Sequence, residues 1–408
     1  MSVVIDNITI VFGIVMVVLF IVATLTDVFL RKPVVNENPG LGNSGDGALE
    51  DEGDAAETQS IEMADRAEEL PPVSIIITPH DNAMELEQNL PAFLEQDYPA
   101  PFKVIVVFWK GESDTDDVLK KYASNPHLYS TYIPESSRYM SRKKLAITVG
   151  EKAAETEWLL ITDITCRPQS SQWLRAMARH AGKEVNLVLG HTRYDDDTSS
   201  FRRFARSYAS LYLMHEIRRG IAYRCEGNAL MFRRSEFERQ DGFRSNLKYL
   251  RGEYDFIVND YARRDKGSAI MENSPEGVLV EQCPTDKEWR NKQLYYLEDR
   301  RHMLRSAAHR WRHNVGQVAL HASFLAMLLA LAYGIMTQRW VLVALAGCLI
   351  LSTVLLRSWL GHRALACLGE ALPAWRIFPY ELWLLWHNFG FKIRYWRSNK
   401  DDFITHKI

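Results

Sequence analysis

The chain has no paired-cysteine motif. Its five cysteines, Cys166, Cys225, Cys283, Cys348 and Cys367, are odd in number and scattered, with no CxxC spacing. That pattern argues against a disulfide framework and against a structural zinc site, and it suits a reducing compartment. An excess of charge is also missing. Lys and Arg total 49 against 51 Asp and Glu, a net of −2, so no basic field points to nucleic acid. No Lys or Arg precedes Arg31, which deprives the opening apolar run of the basic flank that a signal peptide carries. Residues 33–71 lack aromatics and are rich in Gly, Asp and Glu (LEDEGDAAETQ). Such a stretch buries too little apolar surface to offset its ordering entropy, and we read it as a disordered acidic linker.

What is present begins with that apolar run. Ile8 to Phe29 is almost unbroken. At ~1.5 Å per residue it reaches roughly 33 Å, enough for a bilayer core. Arg31 and Lys32 follow, so the positive-inside rule puts the amino terminus outside and the next segment in the cytoplasm. We read residues 1–32 as a retained anchor. Near the other end, Val315–Met336 and Trp340–Leu356 are two more apolar spans joined by a turn with one Arg, which predicts a transmembrane hairpin within residues 303–364. The segment Trp289–His313, rich in Arg, His and Trp, reads as one basic amphipathic helix on a membrane surface. Residues 365–408 read as a cytoplasmic interfacial tail, with Tyr380–Phe391 at headgroup depth. A third crossing there is open, disfavoured by Glu381, His387 and Asn388.

Between these lies a globular region, residues 72–302. VSIIIT (73–78), FKVIVVF (102–108) and WLLIT (158–162) are short continuous apolar runs, the pattern of strands buried on both faces. Helical patterns over 85–96, 114–124 and 143–154 alternate with them, which predicts βαβ units and a parallel sheet. Val185–Leu189 and Asn228–Phe232 read as further strands, and Phe201–Arg219 as a long amphipathic helix. Asp163 stands at the carboxyl end of WLLIT, where open α/β sheets bind ligands. One carboxylate there, with Lys143 and Lys144 upstream, suits a metal-bridged phosphate ligand. The plainer reading of Asp163 is a helix cap.

Several blocks carry a family resemblance in order: PPVSIIITPHDNAMELEQNLPAFLEQDYP, KVIVVF with ESDTDDVLKKY, SRKKLAI with LLITDITCRP, EGNALMFRRSEF, RGEYDFIVND and KEWRNKQ. Together they resemble a membrane-anchored family 2 glycosyltransferase with the GT-A fold. The resemblance implies a Rossmann-like, mostly parallel sheet with one N-terminal and two C-terminal transmembrane helices. It also implies inverting transfer of a sugar from a nucleotide-sugar donor, with a divalent metal (Mg²⁺ or Mn²⁺) at Asp163. On the donor side it implicates Asp81, Trp109, Lys143, Lys144, Asp163, Arg300 and Arg301; on the acceptor side, Gly227 and Asn228. As catalytic base it offers Asp255 or Glu253.

The chain departs from that pattern at five places. Asp81 and Asn82 stand for the usual Asn-Glu, Trp109 for a nucleobase-binding Asp, and Thr165 for the second Asp of DxD. Tyr254 takes the usual base position, and the terminal basic motif is displaced to Arg300, Arg301 and His302. Trp109 either stacks on a base or plugs the cleft. The leading expectation is a transferase of the inner membrane, catalytic domain in the cytoplasm, acting on a lipid-linked or glycan acceptor in envelope polysaccharide or glycolipid assembly. The alternative is an inactive GT-A pseudoenzyme that positions a partner transferase. Two or three spans leave too little membrane protein for a transporter.

Overall fold

The computed structural model describes residues 7–30, 70–134, 141–264, 269–304 and 307–403. Nearly all of the acidic stretch read as a linker, with Arg31 and Lys32, lies outside the described residues. The chain forms two compact units. One gathers residues 1–34, 200–212 and 305–396; the other gathers 35–199, 213–304 and 397–408. The units are therefore assembled from separate stretches rather than from consecutive blocks.

In the helical unit the first element is α1 (Asn7–Leu25). In the sheet unit the elements follow the expected alternation. They run β1 (Val73–Ile77), α2 (Ala83–Leu94), β2 (Phe102–Trp109), α3 (Ser113–Lys121), β3 (Leu128–Ile133), α4 (Arg142–Ala153) and β4 (Trp158–Thr162). All five residues of β1 and of β4 are buried, which is why each reads as an uninterrupted apolar run. Strands β3, β2, β1 and β4 are mutually parallel neighbours. Parallel pairing puts their carboxyl ends on one edge. Gly150 of α4 faces Ile76 so closely that an added Cβ would lie 2.6 Å from its Cγ2, so this helix packs tightly on β1.

Beyond β4 come β5 (Cys166–Pro168), α5 (Trp173–Ala178), β6 (Leu187–Gly190), β7 (Thr192–Tyr194) and α6 (Ser200–Ile217). They are followed by β8 (Ala229–Arg233), α7 (Arg234–Arg239), α8 (Glu253–Arg264), β9 (Ala269–Glu272), β10 (Leu279–Glu281) and α9 (Asp286–Asp299). The main sheet has seven strands in the order β3-β2-β1-β4-β8-β6-β9, and β5, β10 and β7 form a second sheet. Strand β8 runs antiparallel to β4, with Thr162 opposite Ala229. Its amino end therefore meets the carboxyl ends of its antiparallel neighbours β4 and β6. Asp163 and Asn228, the next residues on each strand, fall on that shared edge.

The basic segment expected as one helix is broken. Helix α9 ends at Asp299, and α10 (Ala307–Met336) begins a new helix. The break has a physical cause. The backbone N–H groups of Arg301 and His302 bond back three residues to Glu298 and Asp299, tightening the last turn. Met303 is buried against Tyr249 and Phe256. The Asn259 side chain then clamps Leu304, donating to its carbonyl at 2.9 Å and accepting from its N–H at 2.8 Å.

The helical unit is completed by α11 (Trp340–Ala366) and α12 (Ala374–Arg397). Three helical stretches, Asn7–Leu25, Trp311–Met336 and Trp340–Ala366, are long and apolar enough to cross a membrane. Met16, Met327, Ala330, Leu342 and Ala346 form a small buried core among them. Buried Arg357 of α11 donates to Glu381 of α12 at 2.8 Å and to the Ala23 carbonyl at 3.1 Å, and lies 3.5 Å from Asp27. Glu381 is thus turned into this unit rather than outward. Trp375, Trp383, Trp386 and Trp396 line the exposed face of the same helix.

Candidate active site

Asp163 lies in the loop after β4, partly exposed, and both of its carboxylate oxygens are engaged. Oδ1 accepts from the Thr165 N–H at 3.2 Å and from the Thr165 hydroxyl at 3.0 Å. Oδ2 accepts from the Lys143 ammonium at 2.6 Å. Lys143 comes from the first turn of α4, whose start is fixed by Ser141. That hydroxyl caps the helix by accepting from the Lys144 N–H and donates to the Leu250 carbonyl at 3.0 Å. Burial works against charge at Asp163, but the Lys143 ammonium and the Thr165 donors outweigh it and hold the carboxyl well below the usual carboxylate range. Burial likewise opposes the Lys143 charge, yet Asp163 and Glu253 raise its pKa above the ordinary lysine value. The pair is therefore fully ionised at neutral pH.

Tyr254, at the start of α8, packs beside this pair. The Lys143 Nζ lies 5.1 Å from its ring centroid. Its hydroxyl is buried with no hydrogen-bond partner. Burial, reinforced by the negative charge of Asp163, pushes that phenol well above its usual pKa, so it is a donor and not a base. On the opposing strand, the Asn228 N–H donates to the Thr192 hydroxyl at 3.0 Å and its amide donates to the Cys166 sulfur at 3.2 Å. Gly227 is required for this approach, because a Cβ there would lie 2.6 Å from the Gly190 carbonyl oxygen.

The two acidic residues of α8 part company, as residues two apart on a helix must. Glu253 turns into the interior, 4% exposed, with Oε1 unpartnered. Asp255 is half-buried and accepts from the Cys225 N–H at 2.9 Å. Burial raises the Asp255 pKa against the opposing pull of Arg224. The Arg224 guanidinium lies 4.0 Å from the Tyr296 ring centroid, and Arg300 lies 5.9 Å from the same centroid. Arg300 and Arg301 thus sit at the end of α9, with Arg300 on the Asp255 side of the site, and Arg301 is exposed. His302 stacks on Tyr249 and bonds Glu298 at 3.0 Å.

Lys144, expected on the donor side, is enclosed and does not open onto the sheet edge. It has no exposed surface, and its ammonium donates to the carbonyls of Asn246 and Tyr249 at 2.7 and 2.8 Å. It pins the loop that leads into α8, a positioning role. Successive helix residues lie about 100° apart, so one of two neighbouring lysines faces the cleft and the other the core. Asp299 gave no signal in the sequence. Its buried carboxyl would lie 2.8 Å from a Cβ at Gly252, where φ is +84° and favours glycine.

A third group sits at the carboxyl ends of β1 and β2. Asp81 is exposed with a positive φ of 56°. Its neighbour His80 has Nδ1 2.7 Å from Glu112 Oε1 and Nε2 3.1 Å from Arg142 Nη1. The Arg142 guanidinium covers the half-buried Trp109 ring at 5.2 Å. Trp109 is therefore held as a cation-backed ring, packed against the core cluster that includes Tyr254.

A divalent ion at Asp163 meets a poor donor set. One carboxylate is present, Thr165 replaces the second, and Lys143 already holds the oxygen that would face the ion. Among the described residues, His80, Asp81 and Glu112 are the set of three such side chains whose ligand atoms come within 4.8 Å of one another, and they belong to a different loop. The residues around Asp163 do not fit a metal held by the protein.

A mostly parallel α/β sheet with charged residues gathered at the carboxyl ends of its central strands is the arrangement expected of a GT-A fold. The sequence profile of glycosyl transferase family 21 matches residues 54–387, most of the chain, and the chain belongs to that family. The family shown is thus 21, whereas the individual motifs resemble family 2. The structure is similar to the mannosyltransferase PcManGT of Pyrobaculum calidifontis, solved with GDP-Man and Mn²⁺. The TM-score is 0.53 and the identity 19%, over 93% of this chain and 98% of the other. The structure of S. aureus TarS residues 1–349 with UDP-GlcNAc also matches, with TM-score 0.41 and 12% identity over 69% of this chain and 91% of that one. No curated protein matches in sequence.

Proposed function

We propose that the chain is an inverting glycosyltransferase that moves a sugar from a nucleotide-sugar donor to a lipid-linked or glycan acceptor. It works at the cytoplasmic face of the inner membrane, in envelope polysaccharide or glycolipid assembly. The observation that carries this reading is the convergence of Lys143, Asp163, Thr165, Tyr254 and Asn228 on one sheet edge. In the reaction an acceptor hydroxyl oxygen bonds to the anomeric carbon from the face opposite the leaving group. The carbon–oxygen bond to the diphosphate breaks, and its electron pair stays with the diphosphate.

The acceptor proton passes to Asp255, whose raised pKa and partial exposure suit a base better than the buried Glu253. Lys143 faces the departing charge. Arg142 and Trp109, beside Asp81, offer a cation and a ring to the nucleobase end. Asn228 borders the acceptor side, and Arg300 and Arg301 extend the positive field beyond Asp255. The three apolar helices anchor the chain, and the Trp-lined face of α12 lies in the headgroup layer, where a lipid-linked acceptor is presented.

The test is calorimetric titration of the full chain in detergent with UDP and with GDP. Binding to one of them, lost in Asp163→Ala, is expected. Absence of binding to both at millimolar concentration overturns the reading. It would favour a catalytically silent scaffold for a partner transferase, a role to which the tyrosine at the base position also points.

A further inference from the structure

Resting on the donor-binding reading above, we infer that the Lys143 ammonium is the resident cation of the diphosphate site and that donor binding needs no divalent metal. The departing diphosphate must meet positive charge, and a GT-A site can supply it from a bound ion or from a side chain. Here the side chain already occupies the place. Lys143 lies 2.6 Å from Asp163 Oδ2, with about a fifth of its side chain exposed, so a ligand at the sheet edge can reach it.

A divalent ion would need to expel this ammonium from a carboxylate whose other oxygen is held twice by Thr165. The single remaining carboxylate would then be its only protein ligand in that loop. Mg²⁺ and Mn²⁺ take about six oxygen ligands, and a lone carboxylate already paired with an ammonium holds them weakly unless phosphates and waters fill the rest of the shell. One neutral donor in the same group is uncommitted: the Tyr254 hydroxyl is buried without a partner, and the Tyr254 ring centroid lies 5.1 Å from the Lys143 Nζ.

Asp163 then changes its role. It stops being a metal ligand and becomes a positioning residue that fixes the ammonium, as a carboxylate fixes an imidazole in other enzymes. The arrangement also explains why Thr165 can stand where a second carboxylate would. An aspartate there would add negative charge that no metal offsets, and would compete for Lys143.

The experiment titrates the full chain in detergent with UDP and GDP, once in EDTA and once in Mn²⁺. Affinities in the two buffers are expected to agree within about twofold. Lys143→Gln retains an N–H donor on a shorter side chain but removes the charge, and its affinity is expected to fall about 10- to 100-fold, the worth of a charge-assisted hydrogen bond. Added Mn²⁺ should not restore it. Thr165→Asp should bind nucleotide more weakly in EDTA and regain affinity with Mn²⁺. Binding by the wild-type chain that vanishes in EDTA and returns with Mn²⁺ overturns the inference while leaving the donor reading intact. This arm needs no variant, so a misfolded Lys143→Gln cannot rescue the proposal. No nucleotide binding in either buffer overturns both readings.

Discussion

At the scale of single residues, adjacent lysines on one helix turn carry unlike duties. Lys143 meets Asp163 at the surface, while Lys144 is enclosed and holds two carbonyls of the loop before α8. Lys144→Met would take its donor from the Tyr249 carbonyl, while the Asn246 carbonyl keeps the Tyr249 N–H at 3.2 Å, at a cost of about 1–3 kcal/mol. We expect a clear fall in melting temperature, with the loop 246–252 losing protection from hydrogen exchange first. Asp299 sets a pH dependence. Burial, with Asp255 and Glu253 nearby, pushes its carboxyl up to about 8, against about 3.9 for an unperturbed aspartate. Between those values the folded chain holds a proton that the unfolded chain has released. Its contribution to stability is therefore complete at the acid end of the window and is lost as pH rises toward 8. Asp299→Asn should flatten the dependence of melting temperature on pH across that window. An unchanged slope would assign it to other groups.

Elements decide what could be read in advance. Strands β1, β2 and β4 are legible because burial on both faces writes a mostly apolar run into each sequence, interrupted in β2 by exposed Lys103. The strands CRP, TRY and LVE of the second sheet are three residues each and leave no periodic trace. The site was legible in part for the same reason. Asp163 ends a strand that could be recognised, whereas its bond to Lys143 joins residues 20 apart that meet only once α4 packs on the sheet. The inward turn of Lys144 depends on helix phase, and the partners of Asp255, Cys225 and Arg224, come from an irregular loop. Gly227 belongs to this scale as well, since it lets β8 begin hard against β6. Gly227→Ala must move both the Gly190 carbonyl and the Thr192 hydroxyl. Overpacking of this kind costs about 1–3 kcal/mol. We expect a matching loss of stability, measured by thermal melting, and weakened nucleotide binding as Asn228 is displaced.

At the scale of the whole molecule, each unit carries its own buried charges. In the helical unit Arg357 is satisfied by Glu381, Asp27 and a carbonyl of α1. Removing one partner of a buried ion pair costs about 3–5 kcal/mol. Glu381→Gln keeps a neutral acceptor and should fall at or below the lower end. The expected readout is earlier loss of helical signal during heating in detergent. Wild-type resistance in that variant would show that Asp27 alone suffices for Arg357.

The interleaving of the two units along the chain has a consequence for biogenesis. Residues 200–212 belong with the amino-terminal stretch made before them and with helices translated only after residue 305, whereas strand β8, which completes the edge at Asp163, is made between the two. During synthesis most of α6 must therefore wait, with only the amino-terminal stretch for a partner, while more than ninety residues of the sheet unit emerge. A ribosome that stalls, or a message cut short near residue 300, would release a chain able to build the sheet edge at Asp163 yet with its helical unit left incomplete. Such a product is a natural client for chaperones and quality-control proteases.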